Sequence, residues 1–350
     1  MAGSTTRRMV QKMRPIKIAG GGLAGLSLGI ALRREGIDVT LHEAMSYPRH
    51  RVCGEFISGV SEETLLRLGI QDLLADVARP QQVQWWSGAQ NLGSFHLPTA
   101  AYAVSRHRLD AQLCDRLREL GGIVYENQRM LATPEPGTVW AAGRRAEKGE
   151  WIGLKAHVRD LELASGLEMH LGTHAYVGLA AIEDGWINVC GLFRLNANVR
   201  AKPSELLLSY VRENKLTKLA ERLAAATWRE NSTTAVAGFR LGKQSPLDGL
   251  ATIGDAHSII PPFTGNGMSM ALEAAALAID PLCRYARHQQ DWSATVLNIR
   301  QNAHAAFHRR LKMAAAFQQL LLARWSRRPM VMLARKQWLP FRALFSLTRS

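Results

Sequence analysis

The sequence predicts an α/β fold: a helix-covered parallel sheet, interleaved with an antiparallel sheet and followed by C-terminal helices. Three observations carry the prediction. Residues 16–43 read strand, glycine-rich turn, helix, strand; residues 151–193 contain alternating apolar and polar stretches; and almost everything after Gly267 reads as helix. Alternation has the two-residue period of strands, whereas a helix repeats nearer 3.6.

The elements follow in order. Residues 16–19 are a short β-branched run halted by Gly20-Gly21-Gly22, and residues 23–34 form a Leu- and Ala-rich helix closed by Gly36. Glycine is favoured there because helices often end on a left-handed residue. Residues 38–43 read as a second strand, and the helical crossover implies parallel pairing. Residues 61–68 and 109–120 read as helices, the latter stopped by Gly121-Gly122, and 83–86, 102–104, 123–125 and 139–142 as strands. The alternating middle carries a turn at Asp184-Gly185 and reads as an antiparallel sheet. Pro203 opens a helix, residues 251–253 return as a strand, and the helical C-terminal region is expected to break at Pro281, Pro329 and Pro340. This order predicts a discontinuous Rossmann-like domain over 15–80, 104–150 and 245–285. A second domain takes 81–103 and 151–244, and a basic helical region takes 286–350.

Composition narrows the class. With 350 residues, 47% hydrophobic and 21% charged, the chain can bury a large core and is neither disordered nor a coiled coil. No run approaches the roughly 18 apolar residues of a membrane span. The N-terminal Arg7, Arg8, Lys12 and Arg14 have no apolar segment behind them, so no secretory signal is read. Cys53, Cys114, Cys190 and Cys283 are widely spaced, which argues against a zinc site or a disulfide framework and for a reducing, cytoplasmic setting. The net charge of +15 is concentrated at one end: residues 292–350 hold eleven Lys and Arg and no Asp or Glu. Such a tail suits phosphates, but no nucleic-acid motif accompanies it, and nucleic acid is not the expected partner.

Gly20-x-Gly22-x-x-Gly25, with Leu23 and Ala24 between, lies between the first strand and its helix, the context that a dinucleotide fingerprint requires. The first glycine permits the tight turn, the second lets backbone approach a pyrophosphate, and the third allows close helix packing. Glu43, followed by Ala44, ends the second strand eighteen residues after Gly25, placed to accept from an adenosine ribose. Gly254-Asp255 ends the returning strand, where the acid suits a ribityl hydroxyl. Pro262, Gly265, Asn266, Gly267 and Met268 then open a long helix whose N–H groups and positive dipole end suit a flavin pyrimidine ring.

These stretches resemble an FAD-dependent oxidoreductase of the group that contains the geranylgeranyl reductases and aromatic-ring hydroxylases, with the p-hydroxybenzoate hydroxylase (PHBH) type of fold. Ser105-Arg106-x-x-Leu109-Asp110-x-x-Leu113 resembles the group's third mark and implies Arg106 beside the cofactor. Arg51-Val52-Cys53-Gly54-Glu55 resembles the reductases' Cys-Gly motif, implying Arg51, Cys53 and Gly54 at the flavin and Cys53 as the candidate catalytic residue. A thiol beside Arg51 has an electropositive setting that favours thiolate. Two departures are visible. The reductases' aromatic substrate motif keeps only Tyr176, and the strand ending Ala142-Gly143-Arg144 has alanine where hydroxylases place an acid.

The expected activity is therefore reduction or dehydrogenation of a bulky apolar, lipid-, isoprenoid- or polyketide-like substrate, with hydroxylation as the alternative. A non-catalytic flavoprotein or an anionic-surface binder is the rival from another class. Trp85, Trp86, Tyr176, Trp186 and Phe239 are the candidate apolar pocket wall. No second glycine fingerprint occurs, so NAD(P)H, or a redox protein, would donate electrons only transiently. No metal ligands are expected. Finally, Phe307, Leu311, Ala314, Ala315, Gln318 and Leu322 trace an apolar stripe. Arg309, Arg310, Lys312 and Arg324 surround it, and Trp325, Trp338 and Phe341 lie beyond it. The pattern is that of a helix lying on an anionic membrane surface, at the inner face of a membrane.

Overall fold

The structure is a computed structural model, and it describes residues 12–145, 147–245, 247–322 and 332–333. In chain order the first elements are β1 (Ile16–Ala19), α1 (Leu23–Arg34), β2 (Val39–His42), β3 (Phe56–Ile57) and α2 (Glu62–Leu68). Next come β4 (Gln82–Ser87), β5 (Gln90–His96), β6 (Tyr102–Ala103), α3 (Arg106–Glu119), β7 (Ile123–Tyr125) and β8 (Thr138–Trp140). The middle holds β9 (Trp151–Arg159), β10 (Leu167–Leu171), β11 (Ala175–Ala181), β12 (Ile187–Arg194), α4 (Leu206–Glu213) and α5 (Thr217–Ala225). It ends with β13 (Thr227–Trp228), β14 (Thr234–Ala237), β15 (Gly242–Lys243), β16 (Ala251–Thr252), β17 (Ser258–Ile259), α6 (Gly267–Ala286) and α7 (Trp292–Leu322).

Parallel pairing joins the sheet β16-β8-β1-β2-β7, so strands from three separated stretches of sequence build one unit. Its core comes from apolar faces of α1, α3 and α6, where Leu26, Leu113, Leu117 and Leu282 are fully buried. The second sheet runs β13-β9-β12-β11-β10-β4-β5, with β14 also on β9. It is antiparallel except at one joint: β4 enters from the first unit and pairs with β10 in parallel. β5 was not legible because Gly93 and its polar neighbours weaken the alternation. One face of this sheet is sealed by α4 and α5 through Leu207, Tyr210, Leu219 and Leu223. The other faces the parallel unit.

Two expectations need correction. Pro281 does not end a helix; it lies inside α6, which continues to Ala286. A proline there leaves the carbonyl four residues back without its helical donor. Here Leu277 O accepts instead from the Asn302 side chain of α7 at 3.4 Å. The second correction is to the stripe on α7. Phe307, Ala314 and Gln318 are buried, and Leu311 packs on the same core as α6. Arg310 is tied to Glu273 of α6 at 2.5 Å. Most of the stripe's described residues are covered by protein, Ala315 being exposed, and burying them against α6 removes apolar area from water as a bilayer would. Pro329, Pro340, Arg324, Trp325, Trp338, Phe341 and the Leu322 side chain lie outside the described residues. No described helix is long and apolar enough to cross a membrane.

Candidate active site

The glycine turn is built by three different constraints. Gly20 has φ +105°, and a Cβ there would run into the backbone of Ala141 and Ala142 at the end of β8. A Cβ on Gly25 would strike Gly20 O. Around Gly22, by contrast, the nearest atom to a built Cβ is Nη2 of Arg106 at 3.9 Å. Gly22 is the N-cap of α1, and Leu26 N–H to Gly22 O (2.9 Å) opens the helical bonding. The first-turn N–H groups of Leu23, Ala24 and Gly25 therefore precede any helical acceptor. Two of the glycines serve packing, and Gly22 keeps open the space in front of a helix N-terminus.

The turn is held by Glu43 and Arg51, which the sequence reading placed at this site, and by Tyr47 and Arg49, which it missed. Gly21 N–H donates to Glu43 Oε2 at 2.8 Å, while Gly21 O accepts from the Tyr47 hydroxyl at 2.6 Å and from Arg51 at 3.1 Å. Glu43 is buried, accepts also from Met45 N–H, and pairs with Arg49 (2.7 Å) and Arg51 (3.4 Å). Ala44, half-buried, continues from it. Fully buried Asp110 then binds Arg106 through both oxygens (2.7 and 2.8 Å) and pairs with Arg51 at 2.9 Å. Burial opposes the Arg106 charge, but Asp110 overrides it and keeps the guanidinium protonated. Four residues separate Arg106 from Asp110, one helical turn. That spacing was the available signal for the pair.

A second helix end converges on this one. Gly254, at φ +60°, brings its loop against α1: a Cβ there would sit 3.0 Å from that of Ala24. Asp255 follows, exposed to the cleft, and the surrounding protein pushes its carboxyl up against the opposing pull of Arg106, Arg144 and Arg51. Pro262 starts a one-turn helix that ends at Gly265, φ +67°, packed against the Phe56 ring. Asn266 is buried and caps α6, and Met270 N–H to Asn266 O (2.9 Å) is the first helical bond, so the N–H groups of Gly267, Met268 and Ser269 precede it. A Cβ on Gly267 would meet nothing within 4 Å. Two helix N-termini, each fronted by a glycine with open space, flank Asp255. This arrangement fits a dinucleotide carrying a flavin, with α1 toward the phosphates and α6 toward the ring.

The loop of residues 48–55 carries Cys53 between this cleft and the second sheet. The thiol takes a hydrogen bond from Arg106, but burial outweighs that attraction and raises its pKa. The thiolate expected from the neighbouring arginines is therefore not favoured: desolvation of the anion costs more than Arg106, already committed to Asp110, returns. Gly54 rests near the Phe56 ring, and Val52 fills the space beside Gly153 of β9.

Strand register orders the sheet face that meets this loop. One row runs Lys155, Cys190, Gly178, Met169, Trp85 across β9, β12, β11, β10 and β4. A neighbouring row runs Gly153, Leu192, Tyr176, Leu171, Ser87. Trp85, Tyr176 and Phe239 join one apolar cluster with Phe56 and Phe263. The Tyr176 hydroxyl accepts from Phe263 N–H at 3.1 Å, tying the sheet to the turn before α6. Two pocket expectations fail. Trp86 points to the opposite face, stacked on His170 with Lys218 above it. Trp186 lies at the far end of the sheet between Arg159 and Arg229, apart from that cluster.

At the polar end of the first row is a cluster that sequence reasoning also missed. Glu55, Lys155 and His157 are all fully buried. Glu55 Oε1 accepts from Arg106 N–H (3.0 Å) and pairs with Lys155 Nζ (3.3 Å), while Oε2 bonds His157 Nε2 at 2.6 Å. Glu55 takes φ +56°, a strained conformation for a side-chain-bearing residue that turns its carboxylate inward. Lys155 Nζ also donates to His50 Nδ1 at 3.0 Å, and His50 stacks on His107 with centroids 4.6 Å apart. Burial, then Lys155 and the other histidines, lower the His50 pKa to about 3. His50 is thus a neutral acceptor near neutrality.

That shift makes a pH prediction. An unfolded chain protonates His50 near 6.5, the folded chain only near 3, so unfolding takes up a proton between those values. Stability is lost as pH falls through that window. His50→Gln is expected to flatten the drop in urea midpoint between about pH 7 and about pH 5. An unchanged slope would show that His50 titrates alike in both states.

Residues 13–158 match the family described as FAD binding domain. The chain is 24% identical to the menaquinone reductase of Mycobacterium tuberculosis, over 76% of each chain. It is similar in structure to the Klebsiella pneumoniae protein HpxO solved with FAD and uric acid, at TM-score 0.76 and 15% identity over 98% of this chain and 97% of that one. The flavin-dependent brominase Bmp2 gives TM-score 0.75 at 17% identity over 95% and 92%. The p-nitrophenol 4-monooxygenase PnpA from Pseudomonas putida gives 0.75 at 12% over 97% and 98%. At these identities the structural likeness is one of fold. The match over residues 13–158 and the shared fold make the chain similar to FAD-dependent oxidoreductases of the PHBH-type flavoprotein group.

Proposed function

We propose that the chain reduces a bulky apolar substrate, lipid-, isoprenoid- or quinone-like, by two electrons, with NAD(P)H or a redox protein as transient donor. The observation that carries this reading is the row from Trp85 and Met169 to Cys190 and Lys155: an apolar wall ending in buried groups able to hold a proton. Reduction of an activated double bond or a quinone needs a hydride and a proton. Bound FAD supplies the hydride. The protein has to supply the proton where water is excluded. Lys155, hydrogen-bonded to neutral His50, is the proton holder, and Glu55 holds its charge in place while anchoring His157. Trp85, Tyr176, Phe239 and Phe56 exclude water and take the apolar body of the substrate. Cys53, kept as a thiol, walls the flavin side. Gly20, Gly22, Gly25, Glu43, Arg51, Arg106, Gly254, Asp255 and the start of α6 are the residues assigned to FAD.

The likeness to a menaquinone reductase makes a quinone the first substrate to try. The test is anaerobic. Holoprotein reduced chemically and mixed with a long-chain quinone should return to the yellow oxidised form without oxygen. Reduced protein that waits for oxygen before reoxidising would contradict a reductase. It would favour hydroxylation, the second reading, to which the fold likeness to p-nitrophenol 4-monooxygenase points.

A further inference from the structure

Side chains at positions 303, 307, 311 and 315 of α7 recur every four residues and floor a groove of about 280 Å³. Its walls are basic: Lys243 and His257 come from the β15–β17 region, and His304, His308 and Lys312 from α7 itself. Among the described residues no carboxylate lines it. We propose that this groove binds the anionic headgroup of a membrane lipid, with the phosphate among Lys243, His304 and Lys312 and the first methylenes against Phe307 and Leu311.

Three observations support that occupant. The first is charge. Burial and then the neighbouring His304, Lys312 and Lys243 lower the His308 pKa, and burial with Lys243, His304 and Arg300 lowers that of His257. The positive surroundings disfavour a further charge on these two imidazoles, and an anion seated among Lys243, His304 and Lys312 offsets that crowding of positive charge. The second is size. At about 30 Å³ per small polar group the volume admits on the order of ten non-hydrogen atoms, a headgroup rather than a whole lipid. The third is that the chain's own C-terminal segment is a poor occupant, since residues 323–350 hold seven Lys and Arg and no Asp or Glu. The groove shares Phe307, Leu311 and Ala315 with the stripe first read as membrane-facing. Phe307, Ala314 and Gln318 of that stripe are buried, whereas Ala315, His304 and Lys312 on the flank of the same helix are exposed. Ala303, Phe307 and His257 also line a narrow cavity reaching Gly254, Asp255 and Gly267, so a docked lipid surface would lie on the flank of the flavin cleft. Lipid binding here stands whichever reaction the flavin performs.

The test uses the full-length, flavin-loaded protein and vesicles of phosphatidylcholine, with and without phosphatidylglycerol. Binding is expected only with phosphatidylglycerol. Lys243→Ala/Lys312→Ala should raise the lipid concentration for half-binding about 30-fold, from about 1 kcal/mol per basic residue near the surface. Ala315→Trp, which fills the groove without changing charge, should weaken binding as well, and the yellow colour of both variants reports that they are folded. Wild-type binding by either variant would overturn the proposal, because the attraction would then be diffuse or belong to the C-terminal segment. Protection by inorganic phosphate without any vesicle binding would also overturn it, in favour of a free-anion site.

Discussion

Gly22→Val is expected to give a folded, colourless protein. The built Cβ at Gly22 has no neighbour nearer than the 3.9 Å to Arg106, so the protein itself tolerates a side chain there. The backbone, φ −92° and ψ −174°, is extended and suits valine. What a branched side chain would fill is the space before the first-turn N–H groups of α1, where the phosphates are to bind. Flavin affinity should fall about 100-fold or more, about 3 kcal/mol, while the circular dichroism stays native. Gly20→Val and Gly25→Val should instead lose the fold, since each puts a Cβ into backbone. A yellow Gly22→Val protein, titrating with FAD like the wild type, would remove the pyrophosphate from this turn.

The second large effect is at the buried Glu55–Lys155 pair. Lys155→Met leaves a carboxylate fully buried with His157 and the Arg106 N–H as its partners. Removing one partner of a buried pair costs about 3–5 kcal/mol, whereas replacing both with neutral groups of similar shape can cost little. Lys155→Met and Glu55→Gln should each destabilise by that order, and the double variant by clearly less than their sum. Urea unfolding of the three variants measures this coupling. Additive losses would mean that the two charges do not depend on each other. If the double variant folds and binds FAD but has lost turnover, Lys155 is separated from a merely structural role.

The legibility of these features in the sequence differed for physical reasons. β1, α1 and the glycine turn were readable to the residue because local chemistry sets them: β-branched residues, three glycines with distinct steric demands, and a helix of Leu and Ala. α3 was read three residues short because its true start is set by a cap, Ser105 Oγ accepting from Arg108 N–H at 3.0 Å. Lys155 and His157 misled in a different way. In β9 they alternate with Leu154, Ala156 and Val158, and such alternation normally marks a solvent-facing side. Here that side is buried against the loop of residues 48–55, about a hundred positions earlier, and nothing local reports it. The stripe on α7 shows the same limit, since an apolar helix face reads alike whether a bilayer or another helix covers it.

The most direct measurement is the mass of the product formed by flavin-loaded protein turning over a long-chain quinone or an unsaturated lipid with a reduced donor. A product heavier by two hydrogen atoms, formed equally without oxygen, is the expected result. A product heavier by one oxygen atom, formed only in air, would contradict the reductase account and make the apolar wall and its proton-holding row the setting of a hydroxylation.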